Sequence, residues 1–94
     1  MIQERTATSV RADGAELVIG FEGEAPSAAQ AVLLLDAAGH LVGVDLGGEG
    51  FGRTVVMLGP HEAVASQRSS TVVVRPGELR VPAAAARALP NPYL

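Results

Sequence analysis

The sequence predicts a small all-β protein: an antiparallel sheet, barrel or sandwich of five to seven short strands with one short C-terminal helix. Three observations carry this. First, the stretch from Ala31 to Gly48 reads as a β-hairpin: an apolar run (Val32 to Leu35), the turn Asp36-Ala37-Ala38-Gly39, and a second apolar run (Leu41, Val42, Val44, Leu46). Asp at the first turn position accepts a backbone hydrogen bond two residues on, and Gly at the last tolerates positive φ. Second, Glu16 to Glu22 (ELVIGFE) alternates, with Leu17, Ile19 and Phe21 on one face. Third, turn signals such as Asp13-Gly14, Gly59-Pro60 and Pro76-Gly77 recur along the chain at short spacing.

In chain order, residues 1–6 read as a polar lead-in and Ala7 to Ala12 as a first strand closed by Asp13-Gly14. Strands near 16–22, 31–36, 41–46, 53–58 and 71–75 follow. Residues 23–30, with Pro26, form a loop. In the second hairpin strand, Val42, Val44 and Leu46 share one face and Leu41, Gly43 and Asp45 the other. Gly43 marks a bulge or a close backbone approach. Residues 61–67 (HEAVASQ) read as a helical turn or an irregular arm, and the serines and threonine from Ser66 to Thr71 as a polar loop. Leu79 to Val81 is short and extended. Pro82 then pre-sets φ for a helix over Ala83 to Leu89, about two turns, too short to persist without packing. Residues 82–94 are read as this helix and a tail, within one domain spanning 1–94. The expected core is Leu17, Ile19, Phe21, Leu34, Val42, Val44, Val56 and Val74.

Composition narrows the classes. The chain has 94 residues, 48 % hydrophobic, with three aromatics and no Cys. One domain with an aliphatic core follows, and disulfide frameworks and thiolate metal sites are excluded. No apolar run reaches the ~18 residues of a membrane span, and the polar N-terminus differs from a targeting peptide, so a cytoplasmic location is expected. All seven basic residues are Arg, a pattern that codon bias in a GC-rich genome explains. Residues 1–62 hold three Arg against nine acids, net −6; residues 63–94 hold four Arg against one acid, net +3. The acidic whole argues against nucleic acid. The basic third suggests docking on an acidic surface of this or a neighbouring chain, with Arg75, Arg80, Arg87, Tyr93 and Leu94 as the candidate interaction surface.

The segment Leu35-Asp36-Ala37-Ala38-Gly39-His40-Leu41-Val42-Gly43-Val44-Asp45-Leu46 resembles the D-x-x-G-x-[LV]-x-G-[IV]-[ED]-[IL] hairpin of a family of small uncharacterised bacterial domains of unknown function. Residues 11–19 match that family's earlier strand loosely, with Val18 where a Tyr is usual. The resemblance covers roughly residues 8–48. It implies a small, mostly-β fold and supplies no catalytic residues.

No chemical frame stands out. The glycine-rich run from Gly48 to Gly52 lies between two strand-like runs, so it lacks the following helix that a phosphate loop needs. His40, His61, Asp45 and Glu62 fit no compact metal-ligand spacing, and no cofactor is expected. The serines near His61 lack a nucleophile frame. Asp45 is the most informative single residue. The rarity of buried acids places it toward solvent; a buried Asp45 would need Arg53 or Arg75 as partner. The reading that follows is a non-enzymatic protein-interaction or structural module that self-associates, most simply as a homodimer. Two-sided apolar strands that need a cover, and the split charge, both point that way. The alternative is a small ligand-binding barrel or enzyme using Asp45, His40 or His61.

Overall fold

The computed structural model describes residues 2–23, 29–47, 53–59 and 61–85. Its strands are β1 (Ile2–Asp13), β2 (Glu16–Phe21), β3 (Gln30–Leu35), β4 (Leu41–Gly47), β5 (Arg53–Met57), β6 (Ser66–Thr71), β7 (Val73–Arg75) and β8 (Glu78–Pro82). Short 3-10 turns occupy His61–Ala63 and Ala83–Ala85. The strands form one eight-stranded sheet in the order β6-β3-β4-β5-β1-β2-β8-β7. Its two end strands, β6 and β7, are consecutive in the chain with only Val72 between them. The sheet therefore curls into a nearly closed barrel.

Two corners produce the curl. In β1, residues Ile2 to Thr6 pair in parallel with β5, and Ala7 to Asp13 pair antiparallel with β2, with a register slip between Ala7 and Ser9. Across the barrel, β6 pairs with β3 and β7 with β8 on either side of Val72. Strands that switch sheets at a bulge or bend are how such corners form. Ala7 and Val72 are both buried in the core.

The turns follow their residues. Gly14, Gly39 and Gly77 take φ of 60°, 85° and 74° in the β1–β2, β3–β4 and β7–β8 hairpins. At the β3–β4 turn, Asp36 Oδ1 accepts from the Ala38 and His40 amides at 2.9 and 2.8 Å. Its Oδ2 lies 3.2 Å from His40 Nδ1.

The interior is filled by Leu17, Ile19, Phe21, Leu33, Leu41, Val44, Val56, Leu79, Val81 and their neighbours. A smaller cluster of Leu34, Val42, Val55 and Met57 lies on the outer face of β3, β4 and β5, packed against Ala63 and Val64. The arm after β5 is pinned at both ends. The Leu58 and Gly59 amides donate to Val42 O at 2.8 and 3.1 Å, and the Ala65 amide donates to Leu35 O at 2.7 Å.

Several expectations are corrected. Among the described residues there are eight strands rather than five to seven, and one pair, β1 with β5, is parallel. β1 begins at Ile2, because the lead-in finds a partner in β5. Ser66 to Thr71 is a strand, although SQRSST carries no apolar alternation. It lies at the sheet edge, exposed on both faces, and backbone pairing with β3 sustains it. In β4, Leu35 pairs with Leu41 and Leu34 with Gly43, so Val42 is an extra residue. That bulge puts Leu41 with Val44 and Leu46 inside, and turns Val42 to the outer cluster with Leu34. Val74 is only partly buried against the main core. The C-terminal helix is not seen among the described residues. Ala83–Ala85 instead form a 3-10 turn, set where the Ala83 amide donates to Ala15 O at 2.8 Å and Ala83 packs on the core. Residues 86–94 lie outside the described residues, as do Gly48 to Gly52.

The edge at β6 has a definite polarity. The Val72 amide donates to Ala29 O at 3.0 Å, on the β3 side. Backbone groups alternate sides along a strand, so Ser66, Arg68 and Ser70 also face β3. Gln67 and Ser69 face the other way, where no strand pairs with β6 among the described residues. Extending the β7–β8 register sets Pro82 opposite Thr71, and Pro has no N–H to continue the ladder.

Candidate functional site

Register places Ser69, Val32, Asp45 and Val55 in one row across β6, β3, β4 and β5. An open groove of about 470 Å³ runs over this row, lined by Gln30, Val32, Asp45, Leu46, Arg53 and Ser69 among others. β4 supplies Asp45 near its end and β5 supplies Arg53 at its start.

Asp45 is buried, against the solvent-facing expectation, and its partner is Arg53. Burial follows from its central strand, with β3 on one side and β5 on the other. Arg53 Nη2 donates to Asp45 Oδ2, and the Gly47 amide donates to Asp45 Oδ1 at 2.9 Å. The Arg53 hydrogen bond holds the Asp45 carboxyl below its ordinary range, against the opposing effect of burial. The same bond raises the Arg53 guanidinium. The pair is lopsided: the Asp45 side chain is 5 % exposed and the Arg53 side chain 55 %. The carboxylate is consumed inside, and the guanidinium faces the groove.

The other candidates do not join this site. His40 sits at the opposite end of β4, half-buried against Asp36, whose pKa is lowered chiefly by the His40 amide. His61 follows β5 in a 3-10 turn at that same far end. Five residues of strand separate His40 from Asp45, roughly 16 Å at ordinary strand rise. Among the described residues no group of three or more His, Cys, Asp or Glu is placed to hold a metal. No helix of the described residues is long and apolar enough to cross a membrane.

The proposed basic surface resolves in part. Arg80 is engaged within the chain. Its Nε donates to Glu78 Oε2 at 3.1 Å, and its Nη1 donates to Asp13 Oδ2 at 3.1 Å and Glu16 Oε1 at 3.3 Å. These bonds raise its pKa, Glu78 most. Arg11 joins the lattice at 3.8 Å from Glu78 and 3.9 Å from Asp13. Arg80 thus meets acids of its own chain, on the outer face of β1, β2 and β8. Val18 lies buried between Arg11 and Arg80 in the cross-strand register. Arg75 is exposed on β7, and Val73 beside it is 44 % exposed. Arg87, Tyr93 and Leu94 lie outside the described residues.

Sequence reasoning overlooked Ser69 and Gln30 as groove residues. The only signal available was register, since Ser69 faces Val32 once SQRSST is known to be a strand. No family model, no curated protein and no solved structure matches this chain.

Proposed function

We propose that the chain is a non-enzymatic protein-interaction module that self-associates as a homodimer along the edge of β6 with which no strand pairs among the described residues. The observation that carries this reading is the outward-facing backbone of Gln67 and Ser69. Unpaired strand edges are templates for another strand, and proteins guard them with Pro, charged side chains or bulges. β6 has no Pro, and Arg68 is its one charged residue.

Two copies related by a two-fold axis pair β6 with β6 in an isologous seam. With Gln67 opposite its own copy, Arg68 stands opposite Ser66 and avoids its like charge. The barrel interior supports a role on the outside. Ile19, Leu33, Leu41, Leu79 and Val81 are fully buried and fill the space a ligand would occupy in a hollow barrel. Separation of Asp45 from His40 and His61 weighs against the catalytic alternative.

Light scattering tests the reading. The chain is 9.6 kDa and is expected at twice that mass at low micromolar concentration. Gln67→Arg sets like charges at the axis without disturbing the β3 side. It is expected near 9.6 kDa with an unchanged circular dichroism spectrum. A wild-type mass of 9.6 kDa would overturn the proposal.

A further inference from the structure

We infer that the groove over β3, β4 and β5 is a carboxylate-binding site, with Arg53 as the recognising cation and Asp45 as its positioning residue. The carboxylate chemistry stands on the groove alone. Its source, an Asp or Glu side chain of a partner polypeptide, rests on the interaction reading.

Among the described residues of the groove lining, Asp45 and Arg53 are the charged ones, and their charges sum to zero. Their charges are not equally placed. Both Asp45 oxygens are already engaged, Oδ2 by Arg53 and Oδ1 by the Gly47 amide. The carboxylate sits beneath the surface while more than half of the Arg53 side chain remains accessible. A group entering the groove therefore meets the guanidinium and not the carboxylate.

An arginine has five N–H donors in a planar fork, and the bond to Asp45 uses one. The rest of the fork is oriented at no further entropic cost, because Asp45 is itself fixed by β4 and by Gly47. A planar carboxylate is the complementary acceptor. Ser69 and Gln30 add hydroxyl and amide groups at the other wall. Val32, on the outer face of β3, supplies an apolar floor that suits the methylenes of a Glu or Asp side chain. At about 470 Å³ the groove falls within the size range of small-ligand sites, yet it is open enough to admit a side chain still attached to its backbone.

The test is a titration followed by amide chemical shifts, with three probes: an end-capped Ala-Glu-Ala tripeptide, its Ala-Gln-Ala counterpart, and sodium acetate. The Glu peptide is expected to shift the Val32, Gly47 and Ser69 amides saturably, and the Gln peptide to leave them unmoved. Arg53→Lys keeps the charge but loses the fork, and is expected to weaken binding roughly tenfold. Asp45→Asn combined with Arg53→Gln replaces the ion pair by a neutral hydrogen-bonded one. It is expected to keep the fold, seen by circular dichroism, and to abolish the shifts. Acetate binding as tightly as the Glu peptide would overturn the polypeptide source. Equal response to the Glu and Gln peptides, or no saturable shift with any probe, would overturn the site. None of these outcomes depends on the mass of the particle, so the site fails or stands independently of dimer formation.

Discussion

Asp45 and Arg53 form an ion pair whose two members occupy different environments, the carboxylate inside the sheet and the guanidinium at the edge of a groove. Removing either member is not equivalent. Asp45→Ala removes the Arg53 partner and the acceptor of the Gly47 amide together. It is expected to lower stability by about 1–3 kcal/mol, in line with the loss of a charge-assisted hydrogen bond. Urea unfolding of wild type and variant measures this. Arg53→Lys should retain more stability than Asp45→Ala, since it leaves the buried carboxylate with a cation nearby.

Acid should destabilise the fold through two carboxylates. Asp36 and Asp45 both have folded pKa values below the ordinary 3.8, Asp36 chiefly through the His40 amide and Asp45 chiefly through Arg53. As pH falls, the unfolded chain takes up these protons before the folded one does. The stability they contribute is complete above their unfolded pKa and is lost as pH drops through the lower folded values. The urea midpoint should therefore fall between about pH 5 and pH 3. The double variant Asp36→Asn with Asp45→Asn should flatten that dependence.

Gly43 marks a close approach on the outer face. A Cβ there would meet Met57 Sδ at 2.8 Å and Leu34 Cδ1 at 3.1 Å. The Met57 side chain is flexible and can give way, so Gly43→Ala is expected to cost about 1–2 kcal/mol, at the lower end of overpacking effects. Adding Met57→Ala should recover part of the Gly43→Ala loss, a coupling that a double-mutant cycle in urea reads directly.

At the β3–β4 turn, Gly39 has φ of 85° with open space around its Cα. The demand there is conformational rather than steric. Gly39→Ala is expected to cost about 1–2 kcal/mol, and Gly39→Asn less, because Asn tolerates the left-handed region. Thermal unfolding of the two variants distinguishes them.

The same turn shows what the sequence states openly. Asp36 and Gly39 specify it through local chemistry, as do Asp13-Gly14 and Pro76-Gly77, so the hairpins and the interior positions Leu17, Ile19 and Phe21 can be read directly. What could not be read depends on partners distant in sequence. β6 is a strand because β3 offers it a backbone ladder, not because of its side chains. The lead-in of β1 becomes a strand only beside β5. The Val42 bulge is fixed by pairing across the hairpin, and it moves Val42 away from the interior. Asp45 was recognisable as a residue needing an arginine if buried, with Arg53 among the two candidates. Its burial depended on β5 flanking β4, which no local pattern announces. The two-sided apolar character of β3 calls for a cover, and the chain's own arm supplies one through Ala63 and Val64.

Amide hydrogen exchange at Gln67 and Ser69, measured as a function of protein concentration, tests the central proposal most directly. Their backbone groups face away from β3, so within one copy the described residues give them no strand partner. Association along β6 predicts slow exchange at both amides at high concentration, with protection lost on dilution while Arg68 and Ser70, which face β3, remain protected. Fast exchange at Gln67 and Ser69 at every concentration, or protection that does not change on dilution, would contradict the account.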